Sequence, residues 1–241
     1  MNIIEFADKD QLGKAAAAFI ARTIESKTDA VLGLATGGTP IDTYKELIQL
    51  HETEQLSFKQ ARTVNLDEYV GIDPNHENSY MTYMKRHLFD HIDLPSDQYF
   101  LPNGAASHLE EECLRYDQLI EDLGGIDLQL LGIGQNGHIG FNEPGTPFDS
   151  KTHVVQLDEH TRQANARYFS SIDEVPTHAI TMGIASILSS KKILLLASGK
   201  SKADVIQYLE RTEIHPDFPA SALKLHEDVT IFIDREAGSL R

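Results

Sequence analysis

Between Leu130 and Pro147 the chain reads L-L-G-I-G-Q-N-G-H-I-G-F-N-E-P-G-T-P. One short stretch therefore holds an imidazole, His138, a carboxylate, Glu143, and two amides, Asn136 and Asn142. A lone histidine after a strand is usually a turn or core residue. A histidine with a carboxylate in reach has another use. The carboxylate takes the proton of one ring nitrogen and leaves the other as a base near neutral pH. Pro144 and Pro147 keep a helix from starting directly afterwards, so the spacing predicts a rigid polar loop. The loop leaves an apolar run, Ile126 to Leu131, that reads as a buried strand. Open α/β sheets place their ligands at such carboxyl edges.

The same stretch fits a nucleotide fingerprint, Gly132-Ile-Gly134-Gln-Asn-Gly137, with Asp158 ending the next candidate strand, Thr152 to Leu157. That fingerprint works only if a helix begins inside it, with its N-terminus towards the pyrophosphate. The run Phe141-Asn-Glu-Pro-Gly-Thr-Pro147 supplies no such helix, so dinucleotide binding is rejected.

Three further groups carry chemistry. Asp67 and Glu68 follow a candidate strand, Arg62 to Leu66. Adjacent acids there serve as a helix cap or solvated edge, or Asp67 as a general base. Thr36-Gly37-Gly38-Thr39-Pro40 joins the strand Ala30–Ala35 to a helix from Ile41, with Thr39 as its expected N-cap. A strand, a Gly-Gly turn and a helix present free backbone N–H groups to an anion. Lys202, early in a helix after a glycine turn, is a solvated lysine or a second anion contact.

The elements that must position these groups alternate along the chain. Strands are expected at Ile3–Phe6, Ala30–Ala35, Arg62–Leu66, Ile126–Leu131, His153–Leu157, Lys192–Ala197 and Val229–Ile233. Helices are expected from an Asp10 cap to Ser26, from Ile41 to His51, after Asn78 or Ser79, and from a Ser107 cap over Leu109–Leu123. Others are expected at Glu159–Phe169, Ile184–Leu188 and from Lys202 to Arg211. This alternation reads as one α/β domain over 1–241 with a largely parallel sheet. The chain has 241 residues, 41% of them hydrophobic, enough for a full core. The formal net charge of -16 argues against nucleic acid and anionic membranes as partners. The single cysteine, Cys113, excludes an internal disulfide and lies in a helical packing pattern. No apolar run reaches membrane-spanning length, and the start Met1-Asn-Ile-Ile-Glu-Phe6 lacks a signal peptide's basic region. A cytoplasmic protein is expected.

Taken together, Leu34-Ala-Thr-Gly-Gly-Thr-Pro40, Asn65-Leu-Asp-Glu-Tyr69, Gly132 to Pro144, Arg162-Gln-Ala-Asn-Ala-Arg167 and Ser198-Gly-Lys-Ser-Lys202 resemble the glucosamine-6-phosphate deaminases, in order and over essentially the whole chain. The resemblance implies a Rossmann-like αβα sandwich, similar to ribose-5-phosphate isomerases and 6-phosphogluconolactonases. It implies conversion of D-glucosamine 6-phosphate to D-fructose 6-phosphate and ammonium in amino-sugar catabolism, with neither cofactor nor metal. Residue by residue, it implies Asp67 as the enolisation base and His138 as the ring-opening base. Asn136 and Glu143 flank and orient that histidine. Thr36, Gly37, Gly38, Thr39, Arg167 and Lys202 hold the phosphate.

The chain departs from the pattern in two places. Position 136 is Asn where many longer members have Asp, so His138 depends more on Glu143. The sequence also stops soon after its last strand, which leads us to expect a monomer or small homo-oligomer without allosteric activation. The main rival reading is a lactonase-like sugar-phosphate hydrolase, which has no need of Asp67 to move a C2 proton. A sugar-phosphate sensor would need a DNA-binding module that the charge and length do not provide. A metalloenzyme built on Asp67, His138 and Glu143 would use a spacing that matches no common site.

Overall fold

The computed structural model describes residues 1–166 and 169–241. The run Ile193–Ala197 (β9) is apolar at every position and buried at every position, as a strand covered on both faces must be. Leu194 and Leu196 pack on one side with Leu12 and Ala16 of α1 (Lys9–Ser26), Tyr44 and Leu47 of α2 (Ile41–Glu52) and Met84 of α3 (Tyr80–His87). Ile193, Leu195 and Ala197 pack on the other with Tyr116 and Ile120 of α4 (Leu109–Asp122) and Ile206 and Leu209 of α7 (Ala203–Arg211). The result is an αβα sandwich.

The central sheet is parallel throughout, in the order β1-β10-β9-β6-β2-β3-β5. Its other strands are β1 (Asn2–Phe6), β2 (Val31–Leu34), β3 (Arg62–Asn65), β5 (Tyr99–Phe100), β6 (Leu128–Leu131) and β10 (Val229–Asp234). From β2 the chain steps outward through β3 to β5. It then returns to β6 and steps outward the other way through β9 and β10. The direction reverses between β2 and β6, the position where such sheets open a crevice for ligands.

A second, antiparallel sheet sits beside that edge, in the order β4-β8-β7. It comprises β4 (Asp67–Tyr69), β8 (His178–Thr181) and β7 (His153–Gln156). Tyr69, Phe141, Leu157 and Ala179 form a small core there. α5 (Glu159–Asn165) follows β7, and α6 (Ile184–Leu188) follows β8.

At the amino edge, Asp127 ties three strands together. Its carboxylate accepts the Val31 backbone N–H at 2.8 Å and the ammonium groups of Lys27 and Lys191 at 2.7 Å each. Burial works against the charge, but Lys191, Lys27 and the Val31 N–H outweigh it and hold the carboxyl below its ordinary value.

Several local expectations are corrected. Asp8, not Asp10, caps α1: its backbone is extended and its side chain accepts the Gln11 N–H, while Asp10 lies in the first turn beside Lys14. Pro40 occupies the cap position of α2 in place of Thr39, and His108 that of α4 in place of Ser107, both without side-chain capping. The strand at 153–156 belongs to the antiparallel sheet. Cys113 is buried, and burial pushes its thiol up to about 11. No helix among the described residues is long and apolar enough to cross a membrane.

Candidate active site

Asp67 stands where the chain leaves the parallel sheet. Leu66 N–H donates to Leu34 O at 3.1 Å, and Met182 N–H donates to Leu66 O at 2.7 Å, so the crossing is pinned on both sides. β4 then pairs with β8, which puts Asp67 opposite Thr181. Asp67 is only 6% exposed. Burial first, and the charge of Glu68 second, push its carboxyl up to about 8. Glu68 is committed elsewhere. It accepts the N–H groups of Tyr69 and Tyr80 at 2.9 Å each and of Met81 at 3.1 Å. The two readings of the acid pair thus divide between its members: Glu68 caps a helix, and Asp67 carries no such duty.

The polar loop after β6 lies against Asp67. Gly140 has φ +57°, and a Cβ built there would stand 3.0 Å from Thr181 Oγ1 and 3.8 Å from Asp67 Oδ2. The fully buried Asn142 fixes this turn by donating to Ile139 O at 2.9 Å and Met182 O at 2.8 Å. Phe141 N–H donates to Thr181 Oγ1 at 3.1 Å. No helix begins between residues 132 and 147, so the fingerprint lacks the element it needs.

The imidazole of His138 lies on Gly134, where a Cβ would come within 2.3 Å of Cε1; only glycine leaves room for the ring. His138 Nδ1 faces Glu143 Oε2 at 3.4 Å. That is long for a hydrogen bond and Nδ1 makes none, so the contact is an ion pair only when the ring is protonated. Asn136 ties the His138 backbone to the carboxylate, accepting the His138 backbone N–H at 3.2 Å and donating to Glu143 Oε2 at 2.7 Å. Thr161 of α5 donates to the other carboxylate oxygen at 2.7 Å. Burial raises the Glu143 pKa, but His138, Thr161 and Asn136 together hold it at about 2. It is therefore an anion throughout the neutral range.

The turn Thr36–Thr39 caps the carboxyl end of β2, next to β6. Lys202 ends a 3-10 turn after β9 and donates to Ile133 O at 2.7 Å, at the root of the polar loop. The ends of four neighbouring strands, β9, β6, β2 and β3, thus bring together Lys202, the loop with Asn136, His138 and Glu143, the Gly-Gly turn, and Asp67.

A sequence profile described as Glucosamine-6-phosphate isomerases/6-phosphogluconolactonase matches residues 7–232. The chain belongs to that family. A glucosamine-6-phosphate deaminase of Bacillus pumilus is 87% identical over 241 residues, with all of both chains covered. A solved structure described as a monomeric glucosamine-6-phosphate deaminase aligns over all of both chains at 60% identity with a TM-score of 0.98. A 6-phosphogluconolactonase from Trypanosoma brucei aligns over 99% of this chain and 97% of its own at 20% identity and TM-score 0.77, a likeness of fold.

Within this family fold, the sequence-read residues gather at one edge, with one exception. Arg167 lies outside the described residues. Sequence reasoning missed Thr161, whose bond to Glu143 spans from another element. A signal was present: Thr161 immediately precedes the Arg162–Arg167 motif.

Proposed function

We propose that this chain converts D-glucosamine 6-phosphate and water to D-fructose 6-phosphate and ammonium. The observation that carries the reading is the full-length 87% identity to a glucosamine-6-phosphate deaminase. The site chemistry agrees with it. The closed sugar must lose its O1 proton and gain one on the ring oxygen, a task for His138 beside the anionic Glu143. In the open aldehyde, Asp67 takes the C2 proton while the C2 ammonium passes one of its protons to O1, giving an enolamine. Returning the proton to C1 leaves a C2 iminium. Water adds there and ammonia departs. A protonated amine at C2 also brings a positive charge to a carboxyl that burial holds protonated, and so favours the ionised base.

In this reading Thr36, Gly37, Gly38, Thr39, Arg167 and Lys202 receive the phosphate, the cations offsetting a strongly acidic chain. The domain at 1–241 acts as a monomer in the cytoplasm, without a cofactor. The lactonase alternative rests on the shared family profile and on fold at 20% identity. An ammonia-release assay on glucosamine 6-phosphate with purified protein tests the proposal. Hydrolysis of 6-phosphogluconolactone without ammonia release from the amino sugar would replace it.

A further inference from the structure

Glu68 is a buried carboxylate, 3% exposed, that the reaction above does not use. Its hydrogen bonds to the N–H groups of Tyr80 and Met81 fasten the start of α3 to the strand end that carries Asp67. Burial raises its pKa; the three backbone donors oppose that rise. One residue of α3 then reaches the Gly-Gly turn: the Tyr83 hydroxyl donates to Gly37 O at 2.6 Å. The turn's own helix, α2, has Pro40 at its cap position and so no side-chain cap bond of its own.

We propose that Glu68 is a positioning residue for this reaction, acting through α3 to hold the Thr36–Gly37 turn in fixed register with Asp67. A sugar phosphate spans from its reacting C1 and C2 to its phosphate on C6. The base and the phosphate turn must therefore keep a constant separation, and α3 is the strut between them. The assignment of those two ends rests on the function proposed above. Small misplacements of a bound substrate reduce turnover steeply. Glu68→Gln places an amide N–H against a backbone N–H and loosens the near end of the strut. Tyr83→Phe removes only the far hydroxyl.

The tests are kinetics and amide exchange on the two variants and their double. Tyr83→Phe should raise both the KM for glucosamine 6-phosphate and the inhibition constant of inorganic phosphate by about 5- to 10-fold, the loss of one hydrogen bond, with kcat within about 2-fold. Glu68→Gln should raise both constants similarly and also lower kcat by about 10-fold or more. Because the two act in series, the double variant should bind phosphate no worse than Glu68→Gln does. Amide exchange at residues 36–43 should quicken in both single variants. Unchanged phosphate inhibition and unchanged exchange at 36–43 in Tyr83→Phe, which is near-isosteric and retains the fold, would overturn the proposal even if Glu68→Gln fails to fold. So would additive effects in the double variant. A wild-type chain that releases no ammonium would instead refute the functional reading, and the exchange measurement would still decide the strut.

Discussion

Asp67 and Thr181 lie opposite one another across β4 and β8, and both lie against one glycine, Gly140, of the polar loop. The proposed base thus stands on a different sheet from the turn that precedes it in the chain. The loop with His138 closes against it from the side. The two proposed protonation tasks fall in two adjoining but separately built environments: a buried carboxyl at about 8, and a histidine beside a carboxylate held at about 2.

That separation predicts separable losses. Asp67→Asn keeps the shape but removes the carboxylate, so exchange of the C2-derived hydrogen with deuterated water should stop while ring opening continues. His138→Gln should lower deamination by about 10²- to 10⁴-fold. It should impair exchange into fructose 6-phosphate less, because that sugar opens more readily. NMR in deuterated water reads both. Wild-type exchange in Asp67→Asn, or equal loss of exchange in the two variants, would refute the division.

Asp67 also predicts a pH dependence of stability. Its folded pKa of about 8 lies above the ordinary 3.8, so the native state binds this proton more tightly than the unfolded chain does. Its contribution is therefore lost as pH rises from 4 through 8, a cost of up to about 6 kcal/mol above that window. Asp67→Asn should match wild type near pH 4 and exceed it in urea midpoint at pH 8–9. The activity of the wild type should carry an acid limb from the same group. A stability difference that is constant across pH would refute the assignment.

Thr161→Val removes a hydroxyl from Glu143 at little change in volume. The Glu143 pKa should rise from about 2 towards its ordinary value, and kcat/KM should fall about 10-fold, the scale of one hydrogen bond to a charged group. Thr161→Ser should restore activity. If Ser and Val behave alike, the hydroxyl plays no part.

Asp127→Ala should destabilise the fold by about 1–3 kcal/mol, since it strips acceptors from one backbone and two partly exposed ammonium groups. The depressed carboxyl of Asp127 stabilises above its unfolded pKa and loses that contribution as pH falls, so the deficit should shrink in acid. Urea titrations at pH 3 and 7 measure this, with kcat of the folded fraction unchanged. An equal deficit at both pH values would count against the ion pairs as its source.

Much of this arrangement is legible in the sequence. β9 is a continuous apolar run and β6 is one apart from Gln129, and the sequence Gly132–Pro147 is a loop by its glycines and prolines. Asp67 is findable from its position after a strand. Other features depend on distant pairing. Glu68 looks like a solvated acid until Tyr80 and Met81 bring their N–H groups to it. Nothing local in His153–Gln156 says that its partner runs antiparallel, and β5 is too short to show a period. The caps at Asp8 and Pro40 differ from expectation because several residues near each helix start are chemically suitable and backbone dihedrals choose among them.

The Asp127 clamp has an evolutionary consequence. It knots the amino ends of β2 and β6 to the lysines before β2 and β9, while every described residue of the proposed chemistry lies at the opposite rim. A lineage can therefore rewrite the reactive rim, trading an isomerase's base for a hydrolase's water, without unpicking the knot that keeps the strands in order.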